Sequence, residues 1–262
     1  MRQLIGFLIL IIISQKVIGG WFECYNYTGV LNKQKIDLSI QFLGKNKERV
    51  EGIYKFYRIN NPIQLVGEEQ KGDTLKLKEL INDSITGKLR LFMKGDSLIG
   101  KWISVDGKTQ YQIYLKMISK LIDTLYKSSF TNVDLLLRQS TKNYYFVGSY
   151  SLQKDEYRAC MDCLKVIEKK SNKVLYKIDF SKSELFNRRV GNIMTIIYNN
   201  LVSVSVDNKD NLKQIILTAD LGRMGCDFPI YFNAKNGDFI INENELNYYA
   251  PPTTPTNEDV LY

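Results

Sequence analysis

The sequence predicts an all-β protein: an up-and-down antiparallel meander of about eight strands that closes into a barrel, followed by a second β-rich antiparallel sheet or sandwich. Three observations predict it. Apolar residues recur at every second position from Ile36 to Leu115, the mark of strands buried on one face. Turn-forming residues interrupt that alternation at roughly twelve-residue intervals. After residue 143 the strand-like runs resume, separated by polar turns such as Lys169–Lys173.

The N-terminus comes first in order. Arg2 precedes a ten-residue apolar run, Leu4 to Ile13, and small residues follow Val17. This is the layout of a signal peptide over residues 1–20, cleaved after Gly19 or Gly20. Ser14, Gln15 and Lys16 end the run well short of the ~20 apolar residues of a spanning helix, so membrane attachment would come only through an uncleaved leader. Removing the leader removes two basic residues from 36 Lys plus Arg against 28 Asp plus Glu, so the net charge falls from +8 to +6. Such a balance favours anionic surfaces. No compact Lys/Arg cluster with interleaved aromatics marks a nucleic-acid site, and nucleic acid is not an expected partner.

The barrel domain is expected over residues 21–117. Its inward stripes are Ile36, Leu38, Ile40 and Phe42; Val50, Gly52, Tyr54 and Phe56; Ile63 and Leu65; Leu75 and Leu77; Ile85 to Leu91; Leu98, Gly100 and Trp102; and Tyr111, Ile113 and Leu115. Glu23–Leu31 supplies the first strand. Turns are expected at Gly44-Lys45-Asn46, Asn60-Asn61-Pro62, Lys71-Gly72-Asp73, Asn82-Asp83, Lys94-Gly95-Asp96 and Asp106-Gly107. At eight strands a barrel interior is filled by side chains or holds one small ligand. The bulk of Phe42, Tyr54, Phe56 and Trp102 favours a filled lumen, with Gly52, Gly87 and Gly100 relieving crowding or bending their strands. Glu79 breaks the Leu75, Leu77 stripe with a carboxylate. It reads either as a strand-end side chain reaching solvent or a lysine, or as a desolvated carboxylate suited to acid–base work.

Residues 118–142 have mixed periodicity and are expected to hold a linker or short helix. A second β-rich domain over residues 143–249 draws on the stretches 144–152, 157–168, 173–180, 193–199, 201–206, 213–218, 229–232 and 239–241. The tail from residue 250 to 262, APPTTPTNEDVLY, has little to bury.

Chemistry is bounded by what the chain lacks. With no histidine, Ser-His-Asp and Cys-His catalysis and His-ligated metal sites are excluded. No glycine-rich phosphate loop opens a helix and no second carboxylate shares the stripe of Glu79, so no catalytic residue, cofactor or metal is expected. The cysteines are Cys24, Cys160, Cys163 and Cys226, and C-x-x-C lies inside a strand stretch. Structural disulfides of an oxidising compartment are expected, with zinc and redox activity as the alternatives. Residues three apart in a regular strand lie ~10 Å apart, so a Cys160–Cys163 bond is not expected there. The sequons at Asn26 and Asn82 matter only in a source that glycosylates.

The succession G-I-Y-K-F-Y, P-I-Q-L-V-G, L-K-L-K-E, I-T-G-K-L and L-I-G-K-W resembles a small β-barrel-like module of uncharacterised exported proteins of Gram-negative bacteria, over roughly residues 29–116. The resemblance implies a periplasmic or secreted protein and supplies no catalytic residue. The unit C-L-K-V-I-E-K-K-S-N-K-V-L-Y-K-I-D, with G-C-D-F-P-I-Y-F-N, resembles secreted proteins related to bacterial lysozyme inhibitors. The expected function is therefore a non-enzymatic exported protein that binds a macromolecule, another protein or an envelope component, with outward tyrosines such as Tyr57 and Tyr114 as contacts. The alternatives are a small-ligand carrier using the barrel lumen and an inhibitor of a lysozyme-type enzyme.

Overall fold

The computed structural model describes residues 21–43, 49–67, 72–124, 133–152, 159–180, 203–220, 225–232, 238–241, 243–245 and 247–249. The predicted leader, the turn at residues 44–46, the strand stretch 193–199 and the tail lie outside the described residues.

Eight strands run in sequence order around a closed antiparallel barrel: β1 (Trp21–Leu31), β2 (Gln34–Leu43), β3 (Arg49–Phe56), β4 (Ile63–Gly67), β5 (Thr74–Ile81), β6 (Ser84–Lys94), β7 (Ser97–Ser104) and β8 (Gln110–Thr124). The first and last strands pair from Trp21↔Thr124 to Leu31↔Ile113, which removes both sheet edges. Alternation places Leu38, Phe42, Val50, Leu65, Leu77, Leu91, Leu98 and Leu115 in one buried cluster inside the barrel. Phe56, Trp102 and Tyr111 pack against that cluster, and Trp102 stacks on Tyr111 with ring centroids 5.4 Å apart. The lumen is occupied by the barrel's own side chains, so the ligand-carrier alternative does not stand.

The crowding that the inward glycines were expected to relieve is present. A Cβ at Gly100 would stand 2.0 Å from the carbonyl oxygen of Arg90 on the neighbouring strand. A Cβ at Gly87 would stand 2.5 Å from the indole nitrogen of Trp102.

Two further antiparallel sheets follow. One has the order β12-β11-β10-β9, built from β9 (Val133–Ser140), β10 (Tyr144–Leu152), β11 (Ala159–Glu168) and β12 (Val174–Asp179). The other has the order β13-β14-β15-β16, built from β13 (Ser203–Val206), β14 (Leu212–Asp220), β15 (Gly225–Phe232) and β16 (Phe239–Ile241). There β17 (Asn247–Tyr249) also pairs with β15 after a 3-10 turn at Glu243–Glu245. No α-helix occurs among the described residues. Residues 118–124 continue β8 and residues 133–140 form β9.

The two sheets share one core, in which Leu137, Phe146, Leu164 and Ile178 meet Leu212, Ile215, Leu217 and Ile230. Cys24 and Leu121 reach this core from the outer surface of the barrel. A smaller cluster joins Ile53 of β3 to Leu136, Tyr145 and Ile167. Polar residues line the same seam: Asn26 donates to Ser119 Oγ at 2.8 Å and to the carbonyl of Asp134 at 3.1 Å, while Ser39 donates to Asn26 at 2.6 Å.

Candidate functional site

Three turns converge where one end of the barrel meets the β9–β12 sheet. The β3–β4 connection bends because the amides of Ile59 and Asn60 both donate to the carbonyl of Phe56, at 3.2 and 2.9 Å. Asn60 takes the left-handed conformation, at φ +52°, which asparagine tolerates better than most side chains. Its side-chain amide donates to the carbonyl of Lys169 at 2.9 Å and so ties this loop to the β11–β12 turn. That turn is closed by Glu168 N–H on Lys173 and Asn172 N–H on Glu168, at 3.0 and 2.8 Å. The β9–β10 turn is closed by Thr141, whose amide donates to Tyr144 and whose hydroxyl accepts from Tyr144 N–H, both at 2.9 Å.

Between them opens a cleft of about 400 Å³ lined by Arg58, Ile59, Asn61, Lys142, Lys169 and Lys170. Four of the six are cations and none is an acid. Lys169 sits deepest in the framework, half-buried, and its ammonium donates to Asn61 Oδ1 at 2.6 Å, Ser140 Oγ at 3.2 Å and the Thr141 carbonyl at 2.5 Å. All three partners are neutral oxygens. Burial pulls the Lys169 pKa below the ordinary lysine range, and the nearby carboxylate of Asp210 opposes that shift without cancelling it. With its three hydrogens committed, Lys169 contributes charge and shape, while Arg58, Lys142 and Lys170 are left to meet a ligand. An ammonium donating to three acceptors is poorly placed to act as a nucleophile or base.

The residues singled out from the sequence lie elsewhere. Glu79 is buried and meets neither solvent nor a lysine, which corrects the strand-end reading. Its carboxylate accepts from Tyr54 Oη at 2.5 Å, Thr86 Oγ1 at 2.6 Å and Trp102 Nε1 at 2.8 Å. Tyr57 and Tyr114 are exposed, at 40 % and 55 %. Tyr57 lies under the ammonium groups of Lys35 and Lys55 and donates to Asp37 at 3.0 Å, so it is partly engaged within the barrel surface.

Cys24 and Cys163 are buried free thiols, which corrects the expectation of disulfides at these two positions. Cys24 points from β1 into the core shared by the two sheets, where burial pushes its thiol up to about 12. Cys160 and Cys226 belong to β11 and β15, with Ser151 and Ala219 as their cross-strand neighbours. Cys160 and Cys163 share β11, but its register against β10 shifts between them, so the regular strand expected from the sequence is not what is found; Cys163 is a free thiol. Among the described residues no group of His, Cys, Asp or Glu could hold a metal ion.

The sequence reading missed the cleft because its cations are spread over Arg58, Lys142 and the 169–170 pair. The available signal was that each lies in a turn beside an asparagine: R-I-N-N, K-N and K-K-S-N. Only the topology brings those turns to one end.

No protein-family model and no curated protein sequence matches the chain. Among solved structures the chain is similar to a putative 6-phosphogluconolactonase from Bacteroides fragilis, at 8% identity and a TM-score of 0.30, over 90% of this chain and 83% of that one. That neighbour is described as an enzyme, at variance with the expectation of a non-enzymatic macromolecule binder and its lysozyme-inhibitor version, which is not carried further. A likeness of this size assigns neither a fold nor a reaction to the present chain.

Proposed function

We propose that the protein binds a small anionic ligand, of the phosphate or polycarboxylate class, in the cleft between the β3–β4, β9–β10 and β11–β12 turns. The observation that carries this reading is Lys169: a half-buried ammonium whose hydrogen-bond partners are all neutral, set among three further cations. Burying a charge is costly unless an opposite charge compensates it; Asp210 does so only in part for Lys169, and an anion in the cleft would supply the remainder. Arg58 offers the planar fork that matches phosphate or carboxylate oxygens in pairs. Lys142 and Lys170 add point charges from the opposite turns. The cleft's volume is in the range of small-molecule sites, and it is shallow and open to solvent, which suits a small charged ligand held at the surface.

Calorimetric titration with inorganic phosphate, pyrophosphate and succinate tests the reading. At least one of these should bind, and the double substitution Lys142→Ala, Lys170→Ala should weaken it by about tenfold or more, since hydrogen bonds to charged groups are worth roughly 1.5–3 kcal/mol each. The melting temperature should hold, because both side chains sit in turns. Affinity should fall with added salt. It should also fall as pH rises, beginning below the range in which an ordinary lysine titrates, because Lys169 loses its proton early. Absence of binding by every anion at low salt would end the proposal.

A further inference from the structure

The second unit covers only part of the barrel's outer surface. Asn26, Ser39, Gln41, Ile53 and Lys55 point outward from β1, β2 and β3 and are buried. The outward positions of β5 to β8 are largely bare, and two adjacent rows of them differ sharply in chemistry. In one row Phe92 faces Ile99, Ile99 faces Tyr114 and Tyr114 faces Val30, all directly paired across neighbouring strands. These four are exposed at 46, 36, 55 and 41 %. In the next row Lys76 faces Arg90 and Arg90 faces Lys101. Beyond it Lys78 faces Lys88. Lys94 and Lys116 lie on the other side of the apolar row, at the ends of the Ser97 pairings. Near this patch Asp73, Asp83, Asp96 and Asp106 fall outside the strands, Glu79 points inward, and Asp123 lies at the far end of β8.

Like charges directly opposite one another destabilise an antiparallel pair. Two successive like-charged pairs in one row, Lys76 with Arg90 and Arg90 with Lys101, are an internal repulsion that an anionic partner would relieve. The apolar row is also arranged for contact: at ~4.8 Å between strands its four side chains form a ridge roughly 14 Å long. The guanidinium of Arg90 stands 5.9 Å from the Phe92 ring and joins the two rows.

We propose that this face of β5 to β8, with Val30 of β1, docks on the surface of an anionic lipid bilayer. The aromatic and aliphatic ridge would enter the headgroup boundary and the flanking cations would sit among lipid phosphates. Charge complementarity selects this occupant. A second copy would present the same cations and repel. Insertion of the barrel through a bilayer is excluded by the same residues, because a spanning barrel is apolar outside whereas here Lys76, Lys88, Arg90 and Lys101 point outward and the apolar residues fill the interior.

The test is co-sedimentation of the full chain with vesicles of phosphatidylcholine alone, and of phosphatidylcholine mixed with phosphatidylglycerol. Binding to the anionic vesicles and weak or no binding to the neutral ones is expected. Arg90→Gln with Lys101→Gln should lower anionic-vesicle affinity by about 25-fold, at roughly fivefold per cation, and make the binding measurably less salt-dependent. Phe92→Ser with Tyr114→Ser should reduce the part of the binding that survives high salt. Circular dichroism should show an unchanged or slightly raised melting temperature for the charge variant and a small fall, with the fold kept, for Phe92→Ser with Tyr114→Ser. The N-terminal apolar run is common to every variant, so differences among variants report on the face alone. Lys142→Ala should bind vesicles like the parent chain, which separates this surface from the cleft. Equal binding to neutral vesicles, variants indistinguishable from the parent, or retention on immobilised heparin without any vesicle binding would each overturn the proposal.

Discussion

Glu79 lies at the end of an inward apolar stripe, and three donors explain why a charge is tolerated there. Tyr54, Thr86 and Trp102 each point a hydrogen at its carboxylate, so the barrel end is closed by a polar knot. Burial, reinforced by the Glu79 charge, raises the pKa of Tyr54 and keeps its phenol protonated as donor. Leaving a buried donor unmet costs about 1–3 kcal/mol. Glu79→Ala strands at least the Tyr54 hydroxyl and the Trp102 indole N–H, so urea unfolding should show a loss of about 3 kcal/mol or more. Gly87→Ala should reproduce part of it, because the new Cβ would stand 2.5 Å from the Trp102 indole nitrogen and push the ring off the carboxylate. Full stability in both variants would show the knot to be ornamental. The inward direction of Glu79 was legible from period two alone. Its partners were not, because Tyr54 and Trp102 lie 25 and 23 residues away and only the closed register of β3 to β7 brings them together.

At the level of the hairpin, two-residue turns fix the registers. Leu31↔Gln34 and Ile81↔Ser84 close around Asn32-Lys33 and Asn82-Asp83, with both central residues of each turn at positive φ. That geometry matches strand twist and suits Asn-Gly best. Lys33, at φ +64°, carries the left-handed penalty that glycine avoids. Lys33→Gly should therefore raise stability by roughly 0.5–1 kcal/mol, after allowing for the extra freedom glycine has when unfolded. Chemical denaturation should show a higher midpoint at unchanged slope; a lower midpoint would mean that Lys33 makes contacts worth more than its strain. The strands of the barrel and most of its turns were legible because one buried face writes a period of two. The end of β8 was not. Its register against β1 shifts between Asn26 and Tyr27, beyond which Ile118 is exposed and Leu121 enters the other core. One strand serving two cores loses the alternation that would reveal it, and residues 118–142 read as mixed for that reason.

Across the whole molecule, buried thiol and phenol groups set how stability responds to pH. The chain has no histidine, the side chain that ordinarily titrates between pH ~5 and ~8, so stability should vary little around neutrality. Alkaline pH is different. Burial pushes the Cys24 thiol, and the phenols of Tyr27 and Tyr145, up to about 12, and raises Tyr150 as well. In the unfolded chain a thiol releases its proton near pH ~8.5 and a phenol near ~10. Above those values the unfolded state binds fewer protons than the folded one, so stability falls as pH rises, by about 1.4 kcal/mol per pH unit for each such group. The loss should begin near pH ~8.5 to 9 with the buried thiol and steepen above ~10 with the tyrosines. Cys24 is the group to isolate, because it stands between the barrel and the shared core of the two sheets, against a surface that holds both parts together. Cys24→Ala costs packing at every pH, but it removes one ionisation from the balance. Its stability deficit relative to the parent chain should therefore shrink between pH ~9 and ~11. Urea midpoints measured across that range check this: a deficit that stays constant with pH would show that the Cys24 thiol ionises as readily in the folded protein as in the unfolded chain.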